Sequence, residues 1–178
     1  MGTVPSYHTW TVGEIVTAAN MNSNIRDSGL FLIGVPTFRG RNTAGQSLTT
    51  ATYTSINLDT EDIDSDNGHN PAVNPSRYVA QTAGWYILQG GMGYATNNTG
   101  SRGCLFAKNS SAIPATDVLH PASSTGASPT GVAARGTHVQ LAVNDYVEIQ
   151  GFQSSGGALS TSTGTNDMPS FEVRWVRS

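Results

Sequence analysis

The chain has 178 residues, of which 37% are hydrophobic and only 12% charged, and its formal net charge is −3. That length suits one domain with a short appendage, and a low net charge separates it from disordered chains, which couple low hydrophobicity to high charge. Nine Lys and Arg with no basic run argue against nucleic acid, and no apolar stretch reaches the roughly 18 residues that a membrane span needs.

The N-terminus, Met1 to Trp10, has no basic region followed by an apolar core, so no secretory signal is expected. The single cysteine, Cys104, excludes an internal disulfide framework. Its setting, Gly103-Cys104-Leu105-Phe106, reads as a buried strand.

The first region runs from Met1 to about Pro36. Thr17 stands before Ala18-Ala19-Asn20-Met21 as the N-cap of a predicted helix. Met21, Ile25 and Leu32 fall near helical spacing, and the helix ends either at Gly29 or at Gly34-Val35-Pro36. It has no helical partner elsewhere in the chain, and a helix this short is marginal alone. It is therefore expected to pack on its own domain, on copies of itself or on a larger assembly.

From Thr37 the texture changes to period two. Thr54, Ile56 and Leu58 alternate with Ser55 and Asn57, and an acidic, Asn/Gly/Pro-rich loop is predicted from Asp59 to Ser76. Arg77–Ala80 reads as a short strand. Gly84–Tyr94 and Arg102–Lys108 read as a hairpin about the turn Asn97-Asn98-Thr99-Gly100. A Ser/Ala/Pro/Gly-rich stretch, Ser110–Gly131, holds a short strand near Val118-Leu119. Gly136–Val143 turns at Asn144-Asp145 into Tyr146–Phe152, and after a Ser/Gly/Thr-rich loop the last strand places Phe171, Val173 and Trp175 on one face. About eight short strands without βα alternation argue for an all-β sandwich or barrel, the long crossing loops are those that Greek-key and jelly-roll connections require, and an antiparallel two-sheet jelly roll is the form expected.

Two segments carry resemblances. Trp10-Thr11-Val12-Gly13-Glu14-Ile15-Val16-Thr17-Ala18-Ala19-Asn20-Met21-Asn22, continued by Asn24-Ile25-Arg26-Asp27, resembles an N-terminal segment of small virion proteins of tailed phages that infect actinobacteria. From Thr37 to Val176 the chain resembles the jelly roll of complement globular heads and tumour-necrosis-factor-like proteins. The carrying residues are Ala83-Gly84-Trp85-Tyr86-Ile87, Asn97–Arg102, Leu141–Ile149 and Phe171–Trp175. The second resemblance implies a jelly-roll sandwich and a homotrimer built through strand faces near a three-fold axis. No Gly-X-Y collagen stalk is present, so the helix after Thr17 is expected to serve as the attachment element.

Few residues suggest chemistry. Asp62-Ile63-Asp64-Ser65-Asp66 mimics the start of an EF-hand loop, with Asp59 and Glu61 nearby, so Asp62, Asp64 and Asp66 are candidate calcium ligands. The match fails further on: Gly68 lies one place too late, and Val73 stands where a bidentate Glu is needed. A solvated acidic loop is the plainer reading, and no other cofactor is expected. His8, His69, His120 and His138 have no zinc-ligand spacing. No Gly-x-Ser-x-Gly elbow and no Walker or dinucleotide fingerprint occurs, and Asn97-Asn98-Thr99 and Asn109-Ser110-Ser111, although they fit the glycosylation pattern, read as turns. Tyr7, His8 and Trp10 precede the helix as aromatic anchors.

The chain is thus expected to be a non-enzymatic, trimeric surface protein of a phage virion. Residues 1–36 would attach it to other virion proteins through Tyr7, Trp10, Met21 and Ile25, and 37–178 would form the head. Placement at a tail fibre or tip, as a minor tail protein contacting the host and its surface glycan, comes first. A capsid decoration protein on the major capsid protein is the alternative, and a glycan-acting hydrolase a further one. No nucleic acid and no membrane insertion are expected.

Overall fold

The computed structural model describes residues 4–5, 8–122 and 128–178. The head strands are β1 (Thr37–Arg41), β2 (Ser47–Leu48), β3 (Thr54–Ser55), β4 (Thr60–Asp64), β5 (His69–Asn70), β6 (Asn74–Val79), β7 (Gly84–Tyr94) and β8 (Ser101–Lys108). They continue as β9 (Ser111–Ala112), β10 (Val118–Pro121), β11 (Thr130–Ala133), β12 (Thr137–Leu141), β13 (Tyr146–Gln153), β14 (Leu159–Ser160) and β15 (Ser170–Arg177).

Two antiparallel sheets face each other. In the first, β7, β15, β1 and β4 follow in order, and β11 and β12 share the outer edge of β7. In the second, β8 and β13 are central. β9 and β10 flank β8, β6 and β3 flank β13, and β5 lies beyond β6. β2 and β14 pair separately. This is the expected all-β, antiparallel two-sheet jelly-roll sandwich.

The alternation that predicts strands also builds the core. Phe171, Val173 and Trp175 of β15 point inward with Phe38 of β1 and Tyr86 and Leu88 of β7, opposite Tyr78, Phe106, Val147 and Ile149 of the second sheet. Phe38 stacks on Tyr78 with ring centroids 5.5 Å apart, and Phe106 on Phe171 at 5.5 Å, so aromatic pairs tie the sheets together across the interior. Cys104 is fully buried there, and burial pushes its thiol up to about 12.

Several expectations are corrected. β7 and β8 are not a hairpin: β7 pairs with β15, β11 and β12, whereas β8 pairs with β13, β9 and β10. The turn at Asn97–Gly100 carries the chain from one sheet to the other. The acidic stretch 59–76 is not one loop, because it contains β4, β5 and the start of β6. The Ser/Ala/Pro/Gly-rich stretch holds β9, β10 and the start of β11.

The arm helix is capped as the sequence predicts, with the Thr17 hydroxyl accepting the Asn20 N–H. It passes Gly29 and ends at Gly34. Its middle, Asn22–Arg26, is a π-helical turn between Ala18–Met21 and Asp27–Ile33.

Candidate functional site

Among the described residues, the last helical turn of the arm packs on the head. The Phe31 ring packs edge-on against Trp175 at 4.9 Å and is buried. Val4 packs on the same core. The last helical turn therefore belongs energetically to the head, although it lies on the arm side of the boundary drawn at residue 36. The face of the helix that is half-buried or buried consists of Asn20, Asn24, Ser28 and Phe31. Met21 and Ile25, expected as attachment residues, are exposed, and so are Leu30, Leu32 and Ile33. Sequence reading left these last three out of the attachment set. Their signal was the helical spacing continuing past Gly29.

Trp10 is also exposed, and its ring meets His8 edge-on at 4.6 Å. The His8 ring reaches Glu14 at 2.6 Å, and the Thr11 N–H donates to the same carboxylate, holding it below the usual range. The segment before the helix is thus a local turn closed on Glu14. Tyr7 lies outside the described residues.

A second surface is the outward face of the first sheet. Arg39, Glu172 and Gln89 form one cross-strand row, and Thr37, Arg174, Ile87 and His138 the next. Ile87 and Trp85 are only half-buried there, which leaves apolar area beside charges on the central strand β15.

The acidic segment is built differently from the calcium expectation, because each carboxylate already has its own donors. A β-bulge opposite Arg39 and Gly40 puts Asp62 out of ladder register, and Asp62 pairs with Arg41 at 2.6 Å. Asp64 accepts the N–H groups of Gly68 and His69. Asp66 is buried under the Tyr78 hydroxyl, and desolvation raises its carboxyl above the ordinary value. Among the described residues no group of three His, Cys, Asp or Glu is placed to hold a metal ion.

Glu61 and His69, separate in the sequence reading, come together. The buried imidazole contacts Glu61 through Nδ1 at 2.7 Å and the Pro75 carbonyl through Nε2 at 3.0 Å. This contact clasps β4 of one sheet to β5 and β6 of the other along one edge of the sandwich. His138 lies exposed on β12 and His120 exposed on β10. The described histidines therefore do not converge. Arg102 is a further feature that sequence reading missed. It is fully buried, and its guanidinium donates to the carbonyls of Thr99, Ser101 and Asn97, fixing the turn that crosses between sheets.

No family model matches the chain, and no curated protein does. Solved structures do. The globular domain of a zebrafish complement 1qA protein matches with a TM-score of 0.56 at 12% identity, covering 80% of this chain and 99% of that one. The Eiger tumour-necrosis-factor protein from S. frugiperda matches with a TM-score of 0.58 at 8% identity, covering 82% and 95%. The PRD1 vertex protein P5 matches with a TM-score of 0.55 at 18% identity, covering 81% and 99%. At such identities the likeness shows the fold, a jelly roll of the complement and tumour-necrosis-factor type. Among the described residues no helix is long and apolar enough to cross a membrane.

Proposed function

We propose that this chain is a non-enzymatic, trimeric surface protein of a phage particle, with a jelly-roll head turned outward and residues 1–36 attached to the virion. The observation that carries the reading is the exposed apolar arm, with Trp10, Met21 and Ile25 uncovered, beside a head whose aromatic core takes, among the described residues, only Phe31, Val4 and Val35 from that arm. Exposed apolar area of this kind marks a surface that another protein covers. The resemblance of the arm to actinobacterial phage virion proteins supplies the kind of particle. The trimer is supported by the jelly-roll resemblance and by the half-buried Trp85 and Ile87 on the outward face of the first sheet.

Placement at the tail, as a fibre or tip protein contacting host glycan, is the first reading. The likeness to a phage vertex protein favours a second, a capsid decoration protein. In both, His69 is a structural group, held on both ring nitrogens.

The test is incorporation. Replacing Trp10 and Ile25 together with Ala is expected to abolish recovery of the protein in purified particles while leaving the melting temperature of the head nearly unchanged. Normal recovery of the double variant would place the attachment surface elsewhere.

A further inference from the structure

The arm helix is arranged inside out. Its inward side carries Asn20, Asn24 and Ser28 ahead of the buried Phe31, while Met21, Ile25, Leu32 and Ile33 are 44, 54, 70 and 83% exposed. Met21, Ile25 and Leu32 are four and then seven residues apart, the spacing by which one helix side meets another helix. Between them stands Gly29, around which no atom of the chain would touch an added Cβ, so a neighbouring backbone can approach closely.

Two observations identify the occupant. First, the helix runs through Gly34 directly into β1 and packs by Phe31 on the end of β15. These two strands are central in the first sheet, whose outward face is the one proposed above to surround the trimer axis. Three copies would therefore send their helices out side by side, from the same end and in parallel. Second, the stripe is uncharged, and the charges next to it, Arg26 and Asp27, pair with each other at 2.8 Å. The stripe thus offers nothing to a charged partner and is complementary to itself. Asn, Ser, Asp and Gly fill almost half of the helix, a composition that does not hold a short helix in water without packing.

We propose that the arm helices of three copies pack against one another along Met21, Ile25 and Leu32, so that the attachment element is a parallel three-helix stalk on the trimer axis. This rests on the trimeric reading. Met21 and Ile25 then serve attachment by joining the three helices, and Trp10 with the turn around Glu14 forms the tip of the stalk that meets the particle.

The test is disulfide trapping in the full chain, with light scattering on the same samples. Cys104 is buried and its thiol is pushed up to about 12, so it stays out of the reaction. Under mild oxidation Met21→Cys, Ile25→Cys and Leu32→Cys are expected to give disulfide-linked dimers, two chains of each three, several-fold more than Ser23→Cys on the opposite side. Trimers in which the stripe variants link no better than Ser23→Cys would overturn the stalk and leave the trimer standing. A monomer by light scattering would overturn the trimeric reading and the stalk with it. The three stripe positions are judged together, so loss of helix in one variant does not decide the outcome.

Discussion

The residues that sequence motifs point to most strongly are committed to structure. Tyr94 is fully buried, and its hydroxyl donates to the Gly103 carbonyl while accepting the Phe152 N–H. It thereby joins β7 of one sheet to β8 and β13 of the other. Tyr94→Phe removes both buried hydrogen bonds and is expected to cost about 1–3 kcal/mol, read as a lower denaturant midpoint at unchanged slope. Gly84, the glycine of the Ala83-Gly84-Trp85-Tyr86 motif, is explained by contact: its φ is +150°, and a Cβ there would lie 2.3 Å from the Trp175 indole nitrogen. Asp145 closes the turn before β13. The Lys108 ammonium and then the Asn109 amide hold its carboxyl down at about 2. A depressed carboxyl stabilises the fold above its unfolded value near 4, and that contribution fades as pH falls toward 2. Asp145→Asn is therefore expected to flatten the acid limb of a stability-versus-pH curve between those values. An unchanged limb would show that the Lys108 contact contributes nothing in solution.

At the scale of elements, sequence and structure agree where one face is buried and part where partner choice matters. Phe171, Val173 and Trp175 alternate and all point inward, so β15 was legible. The turn chemistry of Asn97–Gly100 was also legible, but a turn says that the chain reverses and not which sheet receives it. Burial on both sides of that question looks the same in sequence, and the predicted hairpin was wrong for that reason. β4 was hidden because Glu61, Asp62 and Asp64 read as a loop, whereas Arg39, Arg41 and the N–H groups of Gly68 and His69 receive the charge of Asp62 and Asp64 locally. The three carboxylates are thereby separately satisfied, so adding calcium or EDTA is expected to leave the melting temperature unchanged. A calcium-dependent rise would mean that Asp62, Asp64 and Asp66 rearrange to bind it. The helix was legible from Thr17 onward, but its docking by Phe31 was not, since nothing in the spacing separates Phe31 from Leu30 or Leu32. Phe31→Ala uncovers the Trp175 ring and is expected to cost about 3–5 kcal/mol in a thermal or urea melt. An effect below about 0.5 kcal/mol, the scale of a surface substitution, would mean that the arm is independent of the head.

At the scale of the whole molecule, Phe31 of the arm completes one end of the head's core, while most of the arm's other apolar side chains stay exposed. On the reading proposed above, the uncovered surfaces are where the chain meets copies of itself, across the outward face of the first sheet, and a particle, at the end of the arm. Placement on the virion surface is the claim on which the rest depends. Immunogold labelling of intact, purified particles from a phage lysate that contains the protein tests it most directly, using antibody raised against the head. The account predicts gold on the particle surface, clustered at the tail or spread over the capsid, and lost from particles made with the Trp10→Ala, Ile25→Ala variant. Particles that stay unlabelled while the protein is abundant in the same lysate would contradict it.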